Sequence, residues 1–265
     1  MMVRRSHKQK LLYGRQPVCE MLRAGRRKAY RILLGHGVEQ SCEVVQEIIR
    51  LAERASLPIA RVTRHDLDRL LGPVNHQGVA AEVSDYPYME FSALLDTFHE
   101  NKQDAFVLLL DHIQDPQNLG SLLRTAEAAG VHGVIIPSDR TVMVTPAVVR
   151  ASAGAAEYVR VVVVANIPHA MRTLKDEGLI IVGLEAEPEA RLHVEADLSG
   201  PLGLIIGSEG KGLGRLVRET CDFLIRLPIY GRVTSLNAGA AASIALYEVC
   251  RQRRQISGAG GRDSR

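Results

Sequence analysis

The chain has 265 residues, 46% of them hydrophobic and 24% charged, which is ordinary globular make-up with length for one large core or two smaller ones. Its most apolar segments, 106–110 and 161–165, are far too short to span a bilayer, and no apolar stretch with a small-residue cleavage site follows the basic start, so neither a membrane span nor a secretory signal is expected. The formal net charge of +3 is small, but it is unevenly spread: up to Arg31 the cations are Arg4, Arg5, Lys8, Lys10, Arg15, Arg23, Arg26, Arg27, Lys28 and Arg31, against Glu20 alone.

Such a block attracts phosphate through counterion release. It reads equally as a solvated tail. As phosphate contacts the candidates are Arg4, Arg5, Arg15, Arg26, Arg27 and Lys28. In chain order, the first third alternates helix and strand. The pattern predicts a helix over 17–24 with Pro17 near its start, a strand over 30–34, and a helix over 41–55 capped by Ser41. A strand over 59–62, a helix from the Thr63 cap to Gly72 and a strand over 79–83 follow. Asp85-Tyr-Pro-Tyr88 breaks the pattern, and the polar stretch at 99–104 reads as a boundary. The expected division is a first domain over 1–88, a linker over 89–104, a second domain over 105–256 and a disordered tail over 257–265.

The second domain alternates again. Strands are predicted over 106–110, 133–136, 159–163, 179–183, 202–206 and 223–227, with helices over 118–129, 146–151, 167–177, 213–220 and 237–254. Near-continuous Val, Ile and Leu strands separated by helices mean a parallel sheet covered on both faces, an α/β fold. The cysteines Cys19, Cys42, Cys221 and Cys250 form no CxxC pair and stand at no zinc spacing to His36, His65 or His76. They read as reduced thiols of a cytoplasmic protein, and no metal site is expected.

Ligands of parallel α/β sheets bind beyond the carboxyl ends of strands, and three such ends are unusual here. Asp111-His-Ile-Gln-Asp-Pro-Gln-Asn118 leads into a helix on which Arg124 follows about two turns later. An amide and a guanidinium there can orient a phosphate or a ribose. The loop Gly207-Ser-Glu-Gly-Lys-Gly212 supplies glycines that let a ligand approach the backbone. It is not a Walker loop, because Gly212 stands where Ser or Thr is required. Leu227-Pro-Ile-Tyr-Gly-Arg-Val-Thr-Ser-Leu-Asn237 runs into an Ala-rich helix, with Thr234, Ser235 and Asn237 at its start. Taken singly, each has a plain structural reading: an N-cap with a surface Arg, a strand-to-helix turn, an ordinary helix cap.

Together, in order and spacing over 106–254, the three segments resemble the motifs of the SpoU family of RNA ribose 2′-O-methyltransferases, part of the SPOUT superfamily. The first third resembles the small ribosomal-protein-like RNA-binding domain fused to some members, through Tyr13-Gly-Arg-Gln-Pro-Val-Cys-Glu20 and His76-Gln-Gly-Val79. The resemblance is strongest to the type that methylates a guanosine in the peptidyl-transferase region of 23S rRNA. It implies a C-terminal domain with a parallel sheet and a trefoil knot, an obligate homodimer, S-adenosylmethionine (AdoMet) as methyl donor and no metal. Carried over by motif, Gly207, Glu209, Gly210, Gly212, Leu227, Ile229 and Leu236 would hold AdoMet. Asn118, Arg124, Glu209, Ser235 and Asn237 match the functional positions, with Arg124 on the RNA phosphate. Ala238-Gly239, where many relatives carry bulkier residues, would loosen the helix start. The rival readings are a tRNA ribose 2′-O-methyltransferase and a non-catalytic RNA-binding assembly protein.

Overall fold

The computed structural model describes residues 10–38, 42–101, 105–233 and 235–258. Arg4, Arg5, the Ser41 cap, Thr234 and the tail beyond 258 lie outside them. Two compact units emerge, Met1–Pro87 with Val144–Tyr158, and Tyr88–Met143 with Val159–Arg265.

The first unit begins with β1 (Lys10–Tyr13), a strand inside the basic block that the charge pattern did not announce. There follow α1 (Arg15–Ala24), β2 (Ala29–Gly35), α2 (Glu43–Arg54), β3 (Ile59–Val62), α3 (Arg64–Leu71) and β4 (Val79–Val83). The sheet order is β1-β4-β2-β3, with β4 antiparallel to both neighbours and β2 parallel to β3. The expected Thr63 cap is a full capping box: its hydroxyl accepts from Asp66 N while the Asp66 carboxylate takes the Thr63 N–H. α2, by contrast, starts after Cys42 with no side-chain cap.

The second unit opens with α4 (Phe91–Asn101), where a polar linker was expected. Leu94 of α4 is wholly buried in the same apolar cluster as Val107, Ile135 and Ile181. A Cβ at Gly133 would lie 2.6 Å from Leu94 Cδ1, so strand and helix meet backbone to side chain. The polar run at 99–104 hid this because the buried positions lie earlier, at Phe91, Leu94, Leu95 and Phe98.

Next come β5 (Phe106–Leu110), α5 (Pro116–Ala128), β6 (Gly133–Pro137), α6 (Pro146–Ala151), β7 (Val161–Val164), α7 (Ile167–Asp176), β8 (Ile180–Leu184), the two-residue β9 (Arg191–Leu192), β10 (Leu202–Ile206), α8 (Arg215–Thr220), β11 (Phe223–Arg226) and α9 (Ala238–Gly258). Seven parallel strands run in the order β7-β6-β5-β10-β8-β11-β9. All residues of β5, β6 and β10 are buried, as two-sided parallel strands require. α5 starts at Pro116, two residues before the expected Asn118, because the Asp115 carboxylate caps it. α9 runs on to Gly258, so Ser257 and Gly258, expected in a disordered tail, are helical.

The chain leaves the second unit at Val144, gives α6 and the 3-10 turn Ala155–Glu157 to the first, and returns at Val159. There the basic block takes on a different meaning. Arg27, expected on phosphate, is 5% exposed and locked on Glu157, itself 1% exposed, with Nε to Oε2 at 3.0 Å and Nη2 to Oε1 at 2.7 Å. Its guanidinium also covers the Tyr86 ring, whose hydroxyl donates to the Ala156 carbonyl at 2.6 Å. Arg26 donates to the carbonyls of Glu157 and Pro87. A buried guanidinium paired in this way cannot serve a ligand without stranding its carboxylate. Burial pushes the Glu157 carboxyl above the usual carboxylate range, and Arg27 and Arg26 only partly oppose that. Lys28 and Arg15 remain exposed or partly so.

Because Leu94 is a core side chain, Leu94→Ala should lower the unfolding free energy by about 2–5 kcal/mol, measured by urea denaturation. A change below about 0.5 kcal/mol would be the response of a linker.

Candidate active site

Three strands that carry the singled-out segments, β5, β10 and β11, end at one edge of the sheet, with β8 between the last two. That adjacency brings the segments together. The Asn237 amide lies at the junction. Its Nδ2 donates to Asn118 Oδ1 at 2.9 Å and to Glu209 Oε1 at 2.7 Å. Its Oδ1 accepts from Gly239 N at 2.9 Å and Ala240 N at 3.3 Å, which caps α9. Both N–H bonds and both lone pairs of one side chain are used.

The loop after β10 is pinned by its own backbone. Ser208 and Gly212 exchange hydrogen bonds at 3.1 and 3.0 Å, and Gly210 and Gly212 turn with φ of 77° and 63°. A Cβ at Gly207 would overlap the Gly212 carbonyl carbon, so no other residue closes this loop. From the β5 end, the buried Asp111 carboxylate accepts from Gly214 N at 2.8 Å and so ties the loop's exit to the neighbouring strand.

Against the expectation of a loosened helix start, Gly239 is where α9 closes on α5. A Cβ there would lie 3.0 Å from Ser121 Oγ and 3.1 Å from Asn237 Oδ1. One turn further, Thr125 and Ser243 hydroxyls bond across the two helices at 3.0 Å.

A cleft of about 630 Å³ opens over these strand ends. Gly207, Glu209, Gly210, Gly212, Leu227, Ile229, Ser235, Leu236 and Asn237 all line it, whereas Asn118 meets it through Asn237. Leu227, Ile229 and Leu236 give it an apolar side. The sequence reading missed its other side, the β8 end. There Glu185 Oε1 takes Arg218 Nη2 at 2.6 Å and Leu213 N at 3.3 Å, and Glu187 stands 3.3 Å from Arg218. Glu185 Oε2 is buried with no partner among the described residues. The only signal in the sequence was a pair of acids just after a strand, in Gly183-Leu-Glu-Ala-Glu187. Arg124 is on none of these walls. It is exposed on α5 and makes no hydrogen bond or ion pair among the described residues. Among the described residues no three His, Cys, Asp or Glu side chains gather as metal ligands. Cys221, packed under the cleft against Gly183, has its thiol pushed up to about 12 by burial and is inert at neutral pH.

The cleft suits a ligand with a flat apolar part and a positive centre. It offers an apolar wall, the backbone of the closed Gly207–Gly212 loop, and three carboxylates, Glu185, Glu187 and Glu209, against the cations Lys211 and Arg218. AdoMet, an adenosine bearing a sulfonium, has that chemistry.

Asn237→Ala should free the loop and the first turn of α9 together. The expected cost is about 1–2 kcal/mol in urea unfolding, with faster amide exchange at 207–212. Wild-type exchange in that loop would reduce Asn237 to a helix cap.

Residues 105–247 match the SpoU rRNA Methylase family, and residues 11–89 match the family described as RNA 2'-O ribose methyltransferase substrate binding. The Bacillus subtilis protein YacO, named as a TrmH family tRNA/rRNA methyltransferase, is 41% identical over 243 residues, which is 92% of this chain and 96% of that one. The SpoU methyltransferase AviRb from Streptomyces viridochromogenes, solved in complex with the cofactor AdoMet, is 25% identical with a TM-score of 0.75, covering 93% of this chain and 91% of that one. The A. aeolicus TrmH/SpoU tRNA modifying enzyme is also 25% identical, with a TM-score of 0.53, and covers 63% of this chain and 84% of its own. With its motifs joined at one cleft and its relatives matched nearly end to end, this chain belongs to the SpoU family of AdoMet-dependent methyltransferases of tRNA and rRNA.

Proposed function

We propose that the protein is a cytoplasmic homodimer that methylates the ribose 2′-hydroxyl of a guanosine in 23S rRNA. The observation that carries the reading is the Asn237 junction, which makes one site out of the three family motifs. The match of the first unit to a family that serves RNA 2'-O ribose methyltransferases supports the ribose as acceptor. A large RNA is supported by that same unit, because the tRNA-modifying relative of known structure aligns with only 63% of this chain.

Bound AdoMet supplies an activated methyl on a good leaving group, so positioning dominates the catalysis required of the protein. Leu227, Ile229 and Leu236 would hold the adenine side, and the Gly207 backbone would approach the ligand closely. Asn237 keeps Glu209 and Asn118 in place, so Glu209 orders the loop and its carboxylate is already engaged. Ser235, exposed on the cleft wall, is free to orient the ribose. Arg124, exposed and without a partner among the described residues, would fix the phosphate beside the target ribose. A guanidinium is too basic to take the hydroxyl proton itself at neutral pH, so that proton leaves to the phosphate or to water.

The homodimer is supported by apolar surface around the cleft. Tyr230 is 93% exposed and Val233 66%. α9 buries Ala242, Ala245, Leu246 and Val249 inward and turns Ile244 and Tyr247 outward. Apolar side chains left exposed in this way suit an interface between copies. The inferred trefoil knot rests on the family resemblance together with the placement of β10 between β5 and β8.

Arg124→Ala should abolish methyl transfer in a single-turnover assay on 23S rRNA while AdoMet affinity by calorimetry stays within about twofold, because the residue serves the RNA side. Full activity would refute the assignment, and 2′-O-methyl mapping that finds the mark in tRNA would replace the substrate. In light scattering the active species should have twice the 29.0 kDa chain mass. An active monomer would remove the dimer.

A further inference from the structure

The first unit contains a second hollow, of about 650 Å³, beyond the carboxyl ends of its two parallel strands. β2 and β3 end side by side there, with His36 N bonded to the Val62 carbonyl at 3.1 Å. Arg15 opens α1 on one side, Arg64 opens α3 on the other, and the turn carrying Asn75, His76 and Gln77 closes the rim.

That rim is built stiffly. His76, 4% exposed, is held at Nε2 by Asp68 at 3.0 Å, and its Nδ1 accepts from Gly78 N at 3.0 Å. Gln77 sits at φ 56°, a conformation most side chains avoid. Its Oε1 takes Arg15 N and its carbonyl takes Arg15 Nε, both at 3.2 Å, so the arginine is aimed by the turn. By contrast, the side chains of His36, Arg64 and Asn75 lie in the hollow with no partner among the described residues. Among the described residues no carboxylate lines it: Asp68 stands behind His76, and Asp66 is taken up by the Thr63 cap. The methyl-donor cleft has three carboxylates on its walls. One hollow suits a cation and the other a polyanion.

We propose that this hollow is where the first unit grips its RNA, by holding a single unpaired nucleotide. The phosphate lies between the Arg15 and Arg64 guanidinium groups. The base presents its edge to the Asn75 amide, which offers donor and acceptor together, and to the Gln77 Nε2, whose Oε1 is held by Arg15 N. A base within a duplex cannot reach such a recess, whereas an unstacked base in a loop or bulge can. The inference rests on RNA being the substrate.

The test uses the full-length protein with protein-free bacterial 23S rRNA and bulk tRNA as probes. Arg64→Glu should weaken binding to the preferred RNA by about tenfold or more and lower the salt slope by about one. Asn75→Ala should weaken it by about threefold or more at an unchanged slope. AdoMet affinity by calorimetry should stay at the wild-type value in both, since neither residue lines the methyl-donor cleft. RNA carrying 4-thiouridine should crosslink to the peptide containing Asn75–Gly78, and a perfectly paired RNA duplex should fail to compete. Wild-type RNA affinity in both variants, a crosslink confined to other peptides, or equal competition by the duplex would overturn the proposal while leaving an RNA methyltransferase intact. A wild-type protein that binds AdoMet but neither RNA would overturn the RNA reading itself.

Discussion

The Asn237 side chain is the constraint on which the site depends. An amide has two hydrogens and two lone pairs to give, and here all four are spent: on Asn118 from the first motif, on Glu209 from the second, and on two backbone N–H groups of the helix that follows the third. Three segments far apart in sequence are thereby held at hydrogen-bond distance without an ion pair. Asp would supply the cap but lose both donations and face Glu209 with like charge. Ser or Thr would be too short to reach both partners.

Close approach of backbone does the rest. Gly207 admits the Gly212 carbonyl where a side chain would stand, and Gly239 lets α9 settle onto Ser121 of α5. The first closes the loop over the strand ends, and the second fixes the start of the helix that Asn237 caps. Small residues that look like weak points in a helix or loop are here the condition for its geometry.

Charge is sorted with similar economy. Of the cations clustered in the first unit, Arg27 is consumed inside by Glu157, and Arg26 by two carbonyls. These contacts hold α6 and the turn after it to the first unit, although the sequence match to the SpoU methylase family runs through that segment. Among the described residues Lys28 stays at the surface, while Arg15 and Arg64 open helices at the mouth of a hollow. Proximity in a basic run therefore said little about which guanidinium is available.

The sequence by itself determined the local structure and the motif set. Strands made mostly of Val, Ile and Leu at 106–110 and 202–206 could be placed to the residue, because two-sided burial leaves no other periodicity. The Thr63 cap and the helix start at Pro146 were legible because each is decided within one turn of chain. Asn118, Glu209 and Asn237 were singled out as residue types at strand ends. Only the tertiary structure decided their union, since it depends on β10 lying beside β5 and on β8 lying between β10 and β11. That strand order placed Glu185 and Glu187 on the cleft wall, where the sequence offered only two acids after a strand. It also needed the fold to bury Leu94 in what read as a linker, and to bury Arg27 in what read as a phosphate-binding run. Burial and pairing of these residues are set by partners 39 to 130 residues away along the chain, at Gly133 and Glu157, and a pattern read over one or two turns carries no information about them.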